Sequence, residues 1–286
     1  MKNIIVYINP YHAKIPEVAT VLEDLQKKYG VVFWCLPRQE NLFPETINTS
    51  SEKDLKQKNC DCILVFGGDG SILQAKDTAL KFNTPILGVN IGHLGFLSET
   101  DMTDLEKSLD NLMHKKFQIQ SRMLIRADVW RDGNKIFSTL ALNDAVIYKS
   151  VSPKLIEVKI LDQKRHVLTA RCDGFVAATP TGSTAYSLAA GGPLLTPVMD
   201  AIVITPLNPH IMAIRPIVFP AKNKITFRMI DQEHSSMLQI DGVNAIELQE
   251  GDEVRITAAK EKVNFIKLSN RTFYQILRNK MHMGRI

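Results

Sequence analysis

Gly67-Gly68-Asp69-Gly70 ends a short apolar run and opens a helical pattern, which sets an acid inside a glycine loop. Glycines at a strand–helix junction let main-chain N–H groups approach a polyanion, and the helix N-terminus adds a favourable potential. A carboxylate there is unwelcome to phosphate, so Asp69 is suited to a hydroxyl, a metal or a proton. A phosphate cradle with a carboxylate in its middle points to phosphoryl transfer. The loop is neither a Walker A sequence nor GxGxxG, and four residues taken alone also fit an ordinary turn.

A second glycine-rich element runs from Ala178 to Pro193 (ATPTGSTAYSLAAGGP). Ser183 reads as a helix cap and Gly191-Gly192-Pro193 as a helix stop. A short helix with free N–H groups and several hydroxyls suits a nucleotide or a sugar, and Tyr186 can lie flat against a planar ring. A plain linker between strands is the alternative. Upstream, Asn143-Asp144 interrupts the apolar stretch LALNDAVIY, and Arg171-Cys172-Asp173-Gly174 interrupts another. Polar pairs inside a β core demand partners or a ligand. Asp69, Asp144 and Asp173 together suit recognition of ribose hydroxyls, deprotonation and magnesium handling.

The elements that position these groups change character along the chain. Strands are expected at Lys2–Ile8, Val31–Leu36, Asp61–Phe66 and Pro85–Val89, and helices at Pro16–Tyr29, Ser71–Phe82 and Met102–Lys115. Thr103-x-x-Glu106 resembles a capping box. This alternation predicts an α/β domain over residues 1–121, a doubly wound sheet with ligands beyond the strand C-termini. The Gly-Gly-Asp-Gly loop and the segment Asn90–Ser98 leave two such ends, so they can converge on one site. From residue 122 to 286 the pattern becomes short alternating strands, among them Leu124–Trp130, Lys135–Tyr148, Leu155–Leu161, Lys224–Ile230, Val254–Ala258 and Val263–Leu268. This half predicts a β-sandwich-like all-β domain, with a final helix over Thr272–Met281 free to return to the first domain.

Composition narrows the class. The 286 residues hold 35 Lys and Arg against 30 Asp and Glu, a net charge of +5. That mild bias attracts phosphorylated ligands but does not argue for nucleic acid, and no apolar stretch is long enough to span a bilayer. Asn9-Pro10 cuts off the N-terminal apolar run before a signal-peptide core develops. Cys35, Cys60, Cys62 and Cys172 lack zinc-site spacing and read as reduced thiols of a cytoplasmic protein.

The ordered set of Gly67-Gly68-Asp69-Gly70-Ser71, Asn90-x-Gly92-x-Leu94-Gly95-Phe96-Leu97, Asn143-Asp144, Asp173-Gly174 and Thr179–Ser187 (TPTGSTAYS) resembles the NAD kinase family in its bacterial form. The run Ile204–His210 (ITPLNPH) with Arg215-Pro216 is similar to that family too. The resemblance implies an N-terminal α/β domain and a C-terminal β-sandwich-like domain. It implies transfer of the γ-phosphoryl of ATP, with Mg²⁺ held mainly by ATP, to the adenosine ribose 2′-hydroxyl of NAD. Asp69 would accept the hydroxyl proton, and Gly67, Gly68, Gly70 and Ser71 would line the phosphate path. Gly70 and Asp69 would also touch substrate, and Phe96 the adenine side. Asn143 and Asp144 would bind adenosine or ribose hydroxyls, and Asp173 the nicotinamide-side polar groups. Thr184, Ala185, Tyr186 and Ser187 would cover the adenosine, Thr181, Leu188 and Ala189 would also touch substrate, and Lys154 and Arg171 would be anion contacts. The resemblance further implies a homodimer or homotetramer.

Three positions depart from the family pattern. Ser71 stands for a usual threonine, Asp144 for a frequent glutamate, and Val243 for a glutamine two residues past Asp241. Asp241-Gly242 then reads as a turn. A lipid kinase of the diacylglycerol or sphingoid type also carries a GGDG loop, and a non-catalytic NAD-binding sensor is the reading from another class.

Overall fold

Short runs of Ile, Val and Leu alternate with amphipathic segments at the start of the chain and fold as parallel strands joined by helices. Their order is β1 (Asn3–Ile8), α1 (Ile15–Tyr29), β2 (Val32–Cys35), β3 (Asn48–Thr49), α2 (Glu52–Gln57), β4 (Cys62–Phe66), α3 (Asp69–Phe82), β5 (Ile86–Asn90), β6 (Thr100–Asp101) and α4 (Leu105–Met113). The computed structural model describes residues 1–286 apart from 12–13, 93–94, 151–153, 232–235 and 282–286. Strands β5, β4, β1, β2 and β3 lie side by side, all parallel, with β6 against β5. The chain leaves β1 toward β2 on one side and later enters β4 on the other. The strand order therefore reverses between β1 and β4, the place where ligands collect in such folds. Gly67-Gly68-Asp69-Gly70 begins at the C-terminal end of β4, beside that switch point.

Helices cover the sheet with the apolar faces read from the sequence. Val18, Leu22 and Leu25 of α1 and Leu105, Leu109 and Leu112 of α4 share one core with Ile4, Val6, Leu64 and Phe66. The α1 helix opens with Pro16 in its first turn and closes at Gly30, whose φ of +63° suits a glycine.

The following strands are β7 (Gln118–Arg131), β8 (Asn134–Ala141), β9 (Asp144–Lys149), β10 (Ile156–Asp162), β11 (Arg165–Cys172) and β12 (Gly174–Ala178). After the short helix α5 (Tyr186–Ala189) come β13 (Ala201–Leu207), β14 (Ile217–Pro220), β15 (Ile225–Asp231), β16 (Ser236–Ile240), β17 (Val243–Leu248), β18 (Glu253–Lys267) and α6 (Phe273–Met281). Two compact units result: Met1–Ser121 with Val263–Ile286, and Arg122–Lys262. In the first unit, Phe265 near the end of β18 pairs with Ile86 of β5.

The second unit is built from antiparallel neighbours. One sheet contains β11-β10-β15-β18 with β7 and β8, and the other runs β14-β13-β12-β9-β16-β17. Val158, Phe227 and Ile256 of the first sheet share a core with Ile147, Phe175, Ile204 and Leu238 of the second. The Phe175 and Phe227 rings stand 5.8 Å apart. Alternating strands thus give the expected sandwich. On the other face of the six-stranded sheet, Val146, Val176, Val203 and Leu207 pack with Leu195.

Local details differ from the sequence reading for identifiable reasons. The α3 helix starts at Asp69, ahead of the apolar pattern, because Gly68 takes the cap position. The capping box at Thr103 does not form. Thr103 Oγ1 instead donates to Asp101 Oδ1 (2.6 Å), which also accepts the Asp104 N–H (3.0 Å). A carboxylate two residues upstream is the stronger acceptor. Lys135–Tyr148 is two strands in different sheets, and Val254–Ala258 with Val263–Leu268 is one continuous strand. The exposed Lys260-Glu261-Lys262 between those last two runs looks like a break but only marks a solvated stretch.

Candidate functional site

In the first unit the site is built on the end of β4. Its five residues are fully buried, and Gly67 follows with φ +146° and donates its N–H to the Val89 carbonyl (3.0 Å). A β-carbon at Gly67 would lie 2.2 Å from Ser71 Oγ, so Gly67 is a packing glycine above a buried serine. Gly68 and Gly70 differ: a β-carbon at either would meet nothing of the protein. Both are exposed at the head of α3, where first-turn N–H groups have no intrahelical acceptor.

Asp69 points its carboxylate at the next strand-end loop. Oδ2 accepts the Phe96 N–H (2.9 Å) and Oδ1 the Leu97 N–H (3.0 Å). That loop is held in turn by Asn90, whose Nδ2 donates to the Gly92 carbonyl (2.7 Å), and by Ser98 Oγ, which accepts the Gly95 N–H (3.0 Å). Glu99 then accepts N–H groups from Leu268 (3.0 Å) and Ser269 (2.6 Å) and meets Lys267 Nζ at 3.0 Å. The two loops expected to converge do so through Asp69. Lys280 Nζ sits 4.7 Å from the centroid of the Phe96 ring. Leu94 of the same motif lies outside the described residues.

In the second unit Asn143 and Asp144 stand where the chain passes from β8 to β9. Asp241, in the turn between β16 and β17, directs its carboxylate at them. Oδ2 accepts the Leu142 N–H (3.0 Å), and Oδ1 accepts those of Asn143 (2.7 Å) and Asp144 (3.2 Å). From the other side Thr179 N–H donates to the Asn143 carbonyl (2.8 Å), and Thr179 Oγ1 donates to that of Leu142 (2.5 Å). The Asp144 side chain is buried. Burial first, and the neighbouring Asp241 second, push its carboxyl up to about 7.

The outer face of the six-stranded sheet carries a pocket of about 720 Å³ lined by Tyr148, Lys149, Asp173, Tyr186, Ala189 and Asn208, among others. Lys149 Nζ lies 2.7 Å from Asp173 Oδ1, and Asn208 Nδ2 donates to Asp173 Oδ2 (2.8 Å). The Lys149 hydrogen bond, aided by Asn208, holds the Asp173 carboxyl below its ordinary value. The exposed Tyr186 ring at the rim, an apolar floor and convergent polar groups are what a flat, polar-edged ligand needs.

The segment 178–193 spends most of its hydroxyls on its own fold. Ser183 caps no helix: it lies in a turn of 3₁₀ helix, donates to the Pro180 carbonyl (2.7 Å) and accepts the Leu195 N–H (3.0 Å). The α5 helix is only four residues long and starts after Ala185, so no hydroxyl stands at its cap. Ser187 is wholly buried with its Oγ 2.8 Å from Thr205 Oγ1, and Thr184 Oγ1 donates to the Thr181 carbonyl (3.1 Å). Thr181 Oγ1 is buried without a partner among the described residues. Asp173, Tyr186 and Ala189 are the expected residues that line the pocket, whereas Thr181, Thr184, Ala185, Ser187, Leu188, Lys154 and Arg171 do not. Lys149 escaped the sequence reading, in which Asn208 stood only inside a family-like run and Asp241 only as a turn residue. Lys149 is the last residue of β9, and alternation along a strand does not name Asp173 as its partner.

Comparison with known proteins places both halves of the chain in one family. Residues 14–117 match the ATP-NAD kinase N-terminal domain and residues 142–268 the ATP-NAD kinase C-terminal domain. The NAD kinase of Desulforamulus reducens is 41% identical over 222 residues, covering 78% of this chain and 77% of the relative. That of Magnetococcus marinus is 37% identical over 78% of this chain and 73% of the relative. In fold, the chain is similar to yeast NADH kinase solved with NADH (TM-score 0.88, 24% identity, 100% of this chain and 89% of that one). It is also similar to an Archaeoglobus fulgidus NAD kinase solved with ATP (TM-score 0.73, 24% identity, 99% of each chain). With both domain families matched in order and relatives this similar over most of its length, the chain belongs to the NAD kinase family.

Proposed function

We propose that the protein transfers the γ-phosphoryl of ATP to the 2′-hydroxyl of the adenosine ribose of NAD, giving NADP. The observation that carries this is Asp69, fixed by two main-chain N–H groups at the head of a helix between glycines open to a ligand. A ribose hydroxyl is a poor nucleophile, and a positioned carboxylate removes its proton as the new bond forms. Each Asp69 oxygen keeps lone-pair capacity beyond its N–H bond. The N–H groups around Gly68 and Gly70 face phosphate oxygens, with Ser71 supporting Gly67 from below. Bound with ATP, Mg²⁺ supplies charge neutralisation on the phosphates.

NAD recognition falls to the other residues. Asn143 and Asp144 accept and donate to ribose hydroxyls, Phe96 meets the adenine side, and Tyr186 with Ala189 covers a ring. Asp173, braced by Lys149, takes the polar groups on the nicotinamide side. Thr181, Thr184, Ala185, Ser187 and Leu188 shape that wall from behind. Lys154 and Arg171, exposed and outside the pocket lining, are kept as anion contacts. The lipid-kinase and sensor readings are not favoured, because both matched domains and the similar relatives are NAD kinases. No helix among the described residues is long and apolar enough to cross a membrane, and the proposal sets the enzyme in the cytoplasm. A homodimer or homotetramer is supported by the exposed Val198, Ile211, Met212 and Val218, which lie on the edge strand β14 and the segments flanking β13.

The test is NADP formation from ATP, Mg²⁺ and NAD by purified protein, read through a coupled NADP-specific dehydrogenase. Asp69→Asn should lower turnover about 10²–10⁴-fold, the contribution of a positioned base, with NAD binding retained. Turnover within a few-fold of wild type would remove Asp69 from the role of base.

A further inference from the structure

We infer that Asp241 is the positioning residue of the NAD site, fixing Asn143 and Asp144 through their main chain without itself touching the substrate. The inference rests on the reading above that this pair contacts the ribose.

The geometry is that of a crossing. Strand β8 ends at Ala141 in one sheet and β9 begins at Asp144 in the other, so only Leu142 and Asn143 make the passage. A two-residue crossing leaves main-chain groups that no ladder can serve, and buried N–H and C=O groups must find partners. The Leu142, Asn143 and Asp144 N–H groups all converge on the Asp241 carboxylate, at 3.0, 2.7 and 3.2 Å. The Asp241 N–H returns to the Asp144 carbonyl at 3.0 Å. Thr179 supplies the donors for the Leu142 and Asn143 carbonyls, at 2.5 and 2.8 Å. Gly182 packs so closely that a β-carbon there would stand 2.0 Å from the Asn143 carbonyl oxygen. Every main-chain polar group of Leu142 and Asn143 is therefore assigned, half of them to one carboxylate.

A turn does not require this of Asp241. Residues 241 and 242 have φ of +48° and +83°, a pair that Asn-Gly adopts as readily as Asp-Gly. Three converging N–H groups, however, call for an acceptor with two oxygens, which asparagine lacks. Among the described residues Asp241 is also the charged group that acts on the Asp144 carboxyl. It thus sets both where Asp144 stands and how readily that carboxyl ionises.

Two variants of the full chain separate these roles. Asp241→Asn keeps the turn, removes one acceptor oxygen and removes the charge beside Asp144. Asp241→Glu keeps the charge and displaces the oxygens by one methylene. Melting temperature, kcat, KM for NAD and for ATP, and the pH dependence of kcat/KM for NAD are measured for each. We expect both to lose about 10–100-fold in kcat/KM for NAD, as ångström-scale misplacement does, while KM for ATP changes little. The acid limb should move to lower pH in Asp241→Asn and stay in place in Asp241→Glu. A folded Asp241→Asn with wild-type kcat/KM and an unmoved acid limb would reduce Asp241 to a turn residue. Should Asp241→Asn not fold, wild-type kcat/KM in Asp241→Glu overturns the positioning role in its place. Asn143→Ala and Asp144→Asn are measured alongside. If those two leave kcat/KM for NAD untouched, the pair is no substrate contact and the whole reading falls. If they lose it while both Asp241 variants do not, only the positioning role is overturned.

Discussion

The Asp69 carboxylate occupies the space that a side chain at Gly95 would need. A β-carbon at Gly95 would lie 1.9 Å from Asp69 Oδ1 and 2.7 Å from its Cγ, closer than atoms can approach. The glycine is thus part of the seat of the acid, as the Phe96 and Leu97 N–H groups are. Gly95→Ala should swing Asp69 off those donors and lower kcat about 10²-fold or more, since misplacing a base approaches losing it. Steady-state kinetics beside a thermal melt checks this. A variant that melts like wild type and turns over like wild type would mean that Asp69 tolerates the displacement.

The Asp144 carboxyl makes stability depend on pH in a definite direction. Its value is about 7 in the folded protein against 3.8 for an ordinary aspartate, so between those values the folded state holds the extra proton. Stability is therefore complete below the lower value and is lost as pH rises through the upper one. Asp144→Asn removes the ionisation and its like charge beside Asp241. The variant should be more stable than wild type at pH 8 by a few kcal/mol, with about 4 kcal/mol as the limit at roughly 1.4 kcal/mol per unit, and should gain nothing at pH 4. Urea titrations at both pH values decide it; equal midpoints at pH 8 would place the carboxyl in ordinary solvation. Its NAD affinity should fall even as its stability rises, because a buried acid beside another acid is held for function.

What the sequence made legible follows the range of its signals. The alternation of apolar strands and helical faces in the first unit, and of short strands in the second, is a local pattern, and β4, α3, β5 and α1 stand where it put them. The glycine loop with Asp69 was legible because glycine spacing and a strand end are also local. Distinguishing Gly67 and Gly95 from Gly68 and Gly70 was not, since the first two are glycine because of Ser71 and Asp69 packed against them. Asp241 was illegible for the same reason. An Asp-Gly turn looks alike whether its carboxylate faces water or three N–H groups 97 to 99 residues earlier in the chain. The hydroxyls of 179–187 misled in the opposite sense: their density signals polarity, but Ser183 and Ser187 use theirs internally.

Thr179 offers a test of that internal use. It is fully buried, donates to the Leu142 carbonyl and accepts the Gly182 N–H at 3.0 Å. Thr179→Val keeps the volume and deletes the hydroxyl, leaving one acceptor and one donor without partners. Orphaned buried groups cost about 1–3 kcal/mol each, so the variant should lose about 2–6 kcal/mol of stability. KM for NAD should rise with it, because Leu142 is the residue next to Asn143. Chemical denaturation and substrate titration on the same preparation check both. Stability lost with KM unchanged would confine Thr179 to holding the fold.

Binding of NAD should release protons near neutral pH. At a carboxyl value of about 7, the free protein at pH 7 holds Asp144 about half protonated. Ribose hydroxyls that donate to the carboxylate favour its ionised form, so the complex holds Asp144 ionised. The difference is about half a proton per site at pH 7, vanishing above about pH 9 where the free carboxyl is already ionised. Calorimetric titrations of NAD in buffers of different ionisation enthalpy measure that number directly from the slope of heat against buffer enthalpy. Asp144→Asn should abolish the release, and Asp241→Asn should reduce it at pH 7 because removing the neighbouring charge lets Asp144 ionise before NAD arrives. Proton uptake in place of release would mean that the carboxylic acid, donating to the substrate, is the form that binds.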